Sequence, residues 1–203
     1  MRTSHYAYNN APFEEYLLSH ENIFMEEKVI HVNTKNREVG AIEKLEAHKK
    51  GLLHRAFSIV IFNSKGEMLL QKRNKKKYHS GGLWTNSCCG HPRPGEDILD
   101  AGKRRLFEEM GISKLPLRQE YVFHYKTKLS KDLAENEIDH VLVGKKDNIQ
   151  VKPDRKEVED WLWVGREELS EDLNKNPEKY TYWFRKIIKN DMLTRYTANE
   201  TRA

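Results

Sequence analysis

The stretch Gly90-HPRPG-Glu96-DILDAGK-Arg104-Arg105-LF-Glu108-Glu109-M-Gly111-Ile112 constrains this chain more than any other part of it. A proline-punctuated loop runs into a segment of helical spacing, and a glycine follows where a helix would stop. The pattern predicts a helix from about Asp97 to Met110, with Ile98, Ala101, Arg105 and Phe107/Glu108 marking its turns. Residues 105 and 109 then lie four apart on one face, with 108 beside them. Carboxylates placed so can hold a hard divalent cation against a diphosphate, because Mg²⁺ combines one or two carboxylates with phosphate oxygens. Two glutamates alone are more often the decoration of a solvated helix.

The rest of the chain reads mostly as strand. Lys28–Asn33 and Glu38–Ile42 flank a polar turn. HRAFSIVIFN, from His54, is a strong strand, and Asn63–Gly66 turns it into Met68–Lys72. Further strands are expected at Gln119–Leu129, Glu137–Val143 and Glu159–Val164. Helices are expected at Pro12–Leu18, Glu167–Leu173 and Pro177–Lys189, and the tail TANETRA reads as loose. Strands that outnumber helices, with a helix between them, predict an α/β (α+β) sandwich in which a mixed β-sheet is flanked by helices. A length of 203 residues suits one domain. The expected division is an N-terminal extension (1–28) packing on the domain, the domain itself (29–190) and a C-terminal tail (191–203).

Composition narrows the setting. The longest apolar stretch, Phe57–Phe62, is too short to cross a bilayer, and MRTSHYAYNN carries no secretory h-region. The two cysteines, Cys88 and Cys89, are adjacent, which suits reduced thiols in a cytoplasmic setting. A net charge of +5 is either a solvated lysine surface or a local field for an anion.

Five residues have metal-ligand chemistry: His48, His54, His91, Glu135 and Glu137. The two glutamates are two apart and can share a strand face. Three imidazoles and two carboxylates would suit Zn²⁺, Mn²⁺ or Fe²⁺ better than Mg²⁺. Taken singly, each is more often a packing or surface residue, and their spacing along the chain does not bring them together.

The Gly90–Ile112 segment resembles the Nudix box, with one departure: Arg105 stands where Nudix hydrolases carry a glutamate. That reversal removes a ligand and adds a cation, so phosphate hydrolysis is disfavoured while diphosphate binding is not. The runs EAHKKGLLHRAFS, GLWTNSCCGHP and ENE, with the box carrying Arg105, resemble the type I isopentenyl-diphosphate delta-isomerase family from about Val29 to Trp183. The resemblance implies a Nudix-like fold and interconversion of isopentenyl and dimethylallyl diphosphate through a carbocation. It implies Cys89 and Glu137 as the proton-transfer residues, with Tyr125 assisting; Cys88 has no such support and is left as structural. Lys44, Arg73 and Lys77 would bind the diphosphate with help from Arg105, and Trp183 would lie over the substrate. Mg²⁺ would be held by Glu109 and the Cys89 carbonyl, and one Mn²⁺ or Zn²⁺ by His48, His54, His91, Glu135 and Glu137. A monomer or homodimer acting on a small diphosphate, without nucleic acid or membrane, is expected. The competing readings are a Nudix hydrolase of a nucleoside diphosphate derivative and an RNA-binding module built on QKRNKKK. Arg105 opposes the first, and no RNA-binding motif supports the second.

Overall fold

The computed structural model describes residues 27–197. The expected helix at Pro12–Leu18 lies outside them, as does the tail beyond residue 197. The elements in order are β1 (Lys28–Val32), β2 (Glu38–Glu43), α1 (Lys44–Lys50), β3 (His54–Phe62), β4 (Met68–Arg73), β5 (Trp84–Thr85) and β6 (Cys88–Gly90). Next come α2 (Ile98–Met110), β7 (Arg118–Lys128), β8 (Ala134–Lys145), β9 (Val158–Val164), α3 (Arg166–Lys175), α4 (Tyr182–Ile187) and α5 (Thr194–Thr197). The nine strands form one mixed sheet flanked by helices, as the sequence predicts.

β3 is the axis of the sheet. Its nine apolar-rich residues are buried on both faces, the pattern of a central strand. One edge pairs with β8 in parallel from His54↔Glu137 to Phe62↔Lys145. Antiparallel partners attach to β3 in turn: β1 at His54, β6 at residues 57–59 and β4 at residues 61–62. Alternation then sorts the side chains. Phe57, Ile59, Ile61 and Leu142 face α2 and its Leu106 and Met110. Val60, Phe62, Val141 and Val143 face Trp183, Phe184 and Ile187 of α4. His54, Ser58, Glu135, Glu137 and Asp139 have the parity of this second face.

Helix α2 begins where its capping chemistry says it should. Asp97 accepts from Leu99 N at 2.8 Å, and Gly111 ends the helix at φ 65°, its N–H bonded to Phe107 O at 2.9 Å and that of Ile112 to Leu106 O at 3.4 Å. Gly102 has no side chain where α2 crosses the sheet, and a Cβ there would sit 2.7 Å from Leu142 Cδ1. Phe107, expected on a structured turn, is 61% exposed, because the buried face runs through Ala101, Gly102, Leu106, Glu109 and Met110 instead.

Three further corrections concern helices. EKLEAHKK, read only as the approach to β3, forms α1, closed by Gly51 at φ 59°. The expected helix Pro177–Lys189 is broken: a 3₁₀ turn (Pro177–Lys179) precedes α4, because Thr181 N–H bonds to Trp84 O at 3.0 Å and holds the intervening backbone extended. The expected tail from residue 191 places Leu193 and Tyr196 in the core. Among the described residues no helix is long and apolar enough to cross a membrane.

Candidate active site

The sheet register assembles the centre of the site. Tyr125, Glu137 and His54 form one row across β7, β8 and β3. His48 reaches the row from α1, and His91 from the loop after β6. One ligand atom from each of His48, His54, His91 and Glu137 lies within 4.8 Å of the others. Glu135, one pleat repeat from Glu137, belongs to an overlapping set with His48 and His79. The five ligand-type residues named from the sequence are therefore brought together, and His79 joins them unforeseen.

The donor atoms are poised for a cation. His48 Nδ1 donates to Lys44 O at 2.5 Å and His54 Nδ1 to Leu52 O at 2.8 Å, which leaves a lone pair on each Nε2. Those two Nε2 atoms lie 3.2 Å from Glu135 and 3.3 Å from Glu137, yet neither makes a hydrogen bond. Glu135 Oε2 and His91 Nδ1 are likewise buried without a hydrogen-bond partner. Buried polar atoms are seldom left so, and a divalent ion among them would satisfy the set. Burial lowers the pKa of His91 to about 4, against the opposing pull of Glu137, so the ring is neutral. Burial alone would raise Glu137, but the imidazoles packed against it, His54 at 3.3 Å and His91 hydrogen-bonded at 3.0 Å, hold it well below the usual carboxylate range. Burial and the adjacent Glu137 charge push Glu135 well above it. Charge is thus concentrated on Glu137.

Beside this cluster lies the thiol of Cys89. β6 pairs with β3 so that Cys89 sits opposite Ser58. The thiol donates to Asn86 Oδ1 at 3.2 Å and lies 3.6 Å from Ser58 Oγ, which itself donates to Asp139 at 2.8 Å. Asn86 is rigid: its amide bonds Ile59 O at 3.0 Å and Cys88 O at 2.8 Å. Burial, then Asp139, push the Cys89 pKa up to about 12, so the sulfur carries its proton at neutral pH. Cys88 is fully buried in the α2-facing core, in keeping with a structural role.

Cations line the same cleft. Lys44, Arg73, Lys77 and Arg105 border it together with Cys89, Tyr125, Glu135, Glu137 and Trp183. Lys44 pairs with Glu27 at 2.9 Å and Lys77 pairs with Glu157. Arg73 lies over the Trp183 ring at 5.4 Å and donates to His79 O at 3.3 Å. Arg105 bonds Glu108 at 2.8 Å and also Glu109, whose other oxygen accepts from Gln71 at 3.0 Å. The free volume is about 60 Å³, small because these side chains fold onto internal carboxylates. A larger cleft of about 550 Å³ between α3 and α4 holds no cluster of metal-type ligands among the described residues.

Glu96 and Arg104, the remaining charged members of the box, form a brace. Arg104 grips Glu96 at 2.7 and 2.9 Å, Glu96 accepts from Arg93 N at 2.8 Å, and Arg104 reaches His91 O at 3.4 Å. The pair anchors the loop that presents His91. His79, Ser58, Asp139 and Gln71 escaped the sequence reading. Only the alternation of β3 and β8, which aligns Ser58 and Asp139 with the site face, offered a signal for two of them.

A NUDIX domain is matched over residues 52–184. An Aromatoleum aromaticum protein, isopentenyl-diphosphate delta-isomerase 2, is 48% identical over 78% of this chain and 83% of its own length. The Serratia proteamaculans isopentenyl-diphosphate delta-isomerase is 48% identical over 81% of this chain and 91% of its own. The chain belongs to the isopentenyl-diphosphate delta-isomerase family, within the Nudix superfamily. Its fold is shared with Deinococcus radiodurans DR0079 (TM-score 0.61, 19% identity, 84% of this chain and 97% of that one). It is shared also with a MutT protein of Methanosarcina mazei (TM-score 0.53, 23% identity, 71% and 92%). The isomerase family match extends over both the thiol of Cys89 and the imidazole–carboxylate cluster, and a Nudix fold with such a cluster suits a divalent metal.

Proposed function

We propose that the protein interconverts isopentenyl and dimethylallyl diphosphate by proton transfer across the cleft between Cys89 and Glu137. One observation carries the reading: the Cys89 thiol and the Glu137 carboxylate flank the same narrow space, the carboxylate fixed in the Tyr125–Glu137–His54 row. In the direction from isopentenyl diphosphate, the Cys89 thiol gives its proton to the terminal alkene carbon, leaving a thiolate and a tertiary carbocation. Glu137 removes a proton from the neighbouring methylene, and the double bond re-forms one carbon along. An unactivated alkene is a very weak base, so the donor has to be held against it in a site that excludes water. Tyr125 holds Glu137 by a 2.6 Å hydrogen bond. Trp183, which lines the same cleft, would offer the cation an aromatic face.

His48, His54, His91, Glu135 and Glu137 would hold a Mn²⁺ or Zn²⁺ ion, which supplies a fixed positive charge beside Glu137 when bound. Lys44, Arg73, Lys77 and Arg105 would take the diphosphate, exchanging Glu27 and Glu157 for phosphate oxygens. Mg²⁺ accompanying the diphosphate would meet Glu109 and the Cys89 carbonyl.

The hydrolase alternative fares worse on a specific point. Glu108 and Glu109, which a hydrolase would use for cations, are both engaged by Arg105. Parallel assays decide between the two. With Mg²⁺ and Mn²⁺ present, isomerisation of isopentenyl diphosphate without release of phosphate from nucleoside diphosphates is expected. Phosphate release from nucleoside diphosphates at a comparable or higher rate would overturn the isomerase reading.

A further inference from the structure

The net charge of +5 is not spread evenly. In the cleft beside Cys89, Lys44, Lys77 and Arg105 each pair with an internal carboxylate. The larger cleft between α3 and α4 is different. Its free volume of about 550 Å³ falls in the range of small-molecule sites. Arg166, Arg185, Lys186 and Lys189 line it, and among the described residues no Asp or Glu does. Arg185, Lys186 and Lys189 have no carboxylate partner among the described residues.

The two helices sort their charges to make it so. On α3, Arg166, Ser170, Leu173 and Asn174 recur at helical spacing and face the cleft, whereas Glu167, Glu168, Glu171 and Asp172 do not line it. Glu171 pairs instead with Lys175 at 3.3 Å, and Asp172 accepts from Tyr180 and Asn176, each at 2.7 Å. On α4, Trp183, Phe184 and Ile187 are buried in the core, while Tyr182, Arg185 and Lys186 turn to the cleft. The Arg185 guanidinium lies 5.7 Å and the Lys186 ammonium 5.2 Å from the centre of the Tyr182 ring, so two cations gather on one aromatic group. Arg185 Nε is buried without a hydrogen-bond partner, which folded chains seldom tolerate. Leu173, Ile188 and Leu193 add an apolar wall.

We propose that this cleft binds a phosphate ester of an apolar alcohol, with its phosphate against Arg185, Lys186 and Lys189 and its hydrocarbon chain along Leu173, Ile188 and Leu193. Like charges three or four apart on a helix repel, and an anion between them turns that repulsion into attraction. A guanidinium fork matches phosphate oxygens in pairs. The apolar wall offers nothing to a bare inorganic ion and favours an ester. The site is separate from the one beside Cys89, since no residue lines both clefts. Helix α4 is their common wall: Trp183 lines the Cys89 cleft, and the Tyr182 ring lies 6.0 Å from that of Tyr125.

Geranyl diphosphate is a suitable probe, with inorganic diphosphate as its chainless control. Calorimetric titration of the full, metal-loaded chain should show saturable binding of geranyl diphosphate, at least about tenfold tighter than inorganic diphosphate, because each buried methylene adds to affinity. The double variant Lys186→Glu/Lys189→Glu, at two exposed positions, should weaken that binding at least about tenfold, as should Arg185→Met. Lys77→Met, in the other cleft, should retain it. Melting temperatures matching the parent identify the folded variants. No saturable binding by the parent, or parent affinity in the folded double variant, would overturn the proposal. So would equal affinities for the two diphosphates, or binding lost in Lys77→Met alone. Sedimentation with phosphatidylglycerol vesicles separates a free ester from a lipid headgroup. The chain should stay in the supernatant, and co-sedimentation without affinity for geranyl diphosphate would also overturn the assignment.

Discussion

Tyr125 and Glu137 face each other across the β7–β8 pair, and the phenol donates a 2.6 Å hydrogen bond to Glu137 Oε2. Burial and the Glu137 charge raise the Tyr125 pKa well above its ordinary value, so the phenol stays a donor throughout the working range. A hydrogen bond to a charged group contributes about 1.5–3 kcal/mol. Tyr125→Phe should therefore lower kcat by about ten- to a hundred-fold with little change in KM. Steady-state kinetics on the metal-loaded variant checks this.

Much of this site was readable beforehand, but unevenly. His54 and Glu137 were named for their ligand chemistry, with alternation putting Glu135 and Glu137 on one strand face, whereas Tyr125 entered through the family resemblance. The end of α2 was equally plain, since Gly111 punctuates it. His48 was harder to place, because Leu45 and Ala47 are the only apolar residues of α1 and the tight turn at Gly51 is what swings the helix onto the sheet. His79 gave no signal at all. It sits in KKKYHSGG, which reads as a solvated basic loop, and only the backbone ties at Arg73 and Leu83 carry it over the cleft. The break before α4 was hidden for a similar reason, since a bond to the distant Trp84 outweighs local helical preference.

Metal should stabilise the fold. At a hundred-fold excess over Kd an ion binding only the native state adds about 2.7 kcal/mol. For a domain of this size that is about 5–10 °C in Tm. Calorimetry before and after chelation measures the shift, and His54→Ala should abolish it.

Arg105 holds two carboxylates, one of them on the buried Glu109. Arg105→Ala leaves Glu109 without its cation, and breaking such a pair costs about 3 kcal/mol. Urea unfolding should show that loss, and KM for the diphosphate should rise. Arg105→Lys should recover only part of both, because a single ammonium does not reproduce the fork.

His140 predicts the acid limb of stability. Asn36 faces its Nε2 at 2.9 Å and Gln119 its Nδ1 at 2.6 Å, an arrangement made for a neutral ring. Burial, then the charge of Arg55, lower its pKa to about 4. The unfolded ring binds a proton near pH 6.5, so stability falls as pH drops from about 6.5 to 4 and this contribution is gone below that. The group accounts for about 2–3 kcal/mol over the window. His140→Gln should flatten the dependence by that amount in urea titrations at fixed metal.

The most direct test of the account is deuterium incorporation. Isopentenyl diphosphate is turned over in D₂O with Mg²⁺ and Mn²⁺, and the product is read by NMR. Deuterium in a methyl group of dimethylallyl diphosphate, abolished by Cys89→Ala and by Glu137→Gln, is the predicted result. Undiminished incorporation by Cys89→Ala, or turnover with no solvent deuterium in the product, would contradict proton transfer between these two side chains.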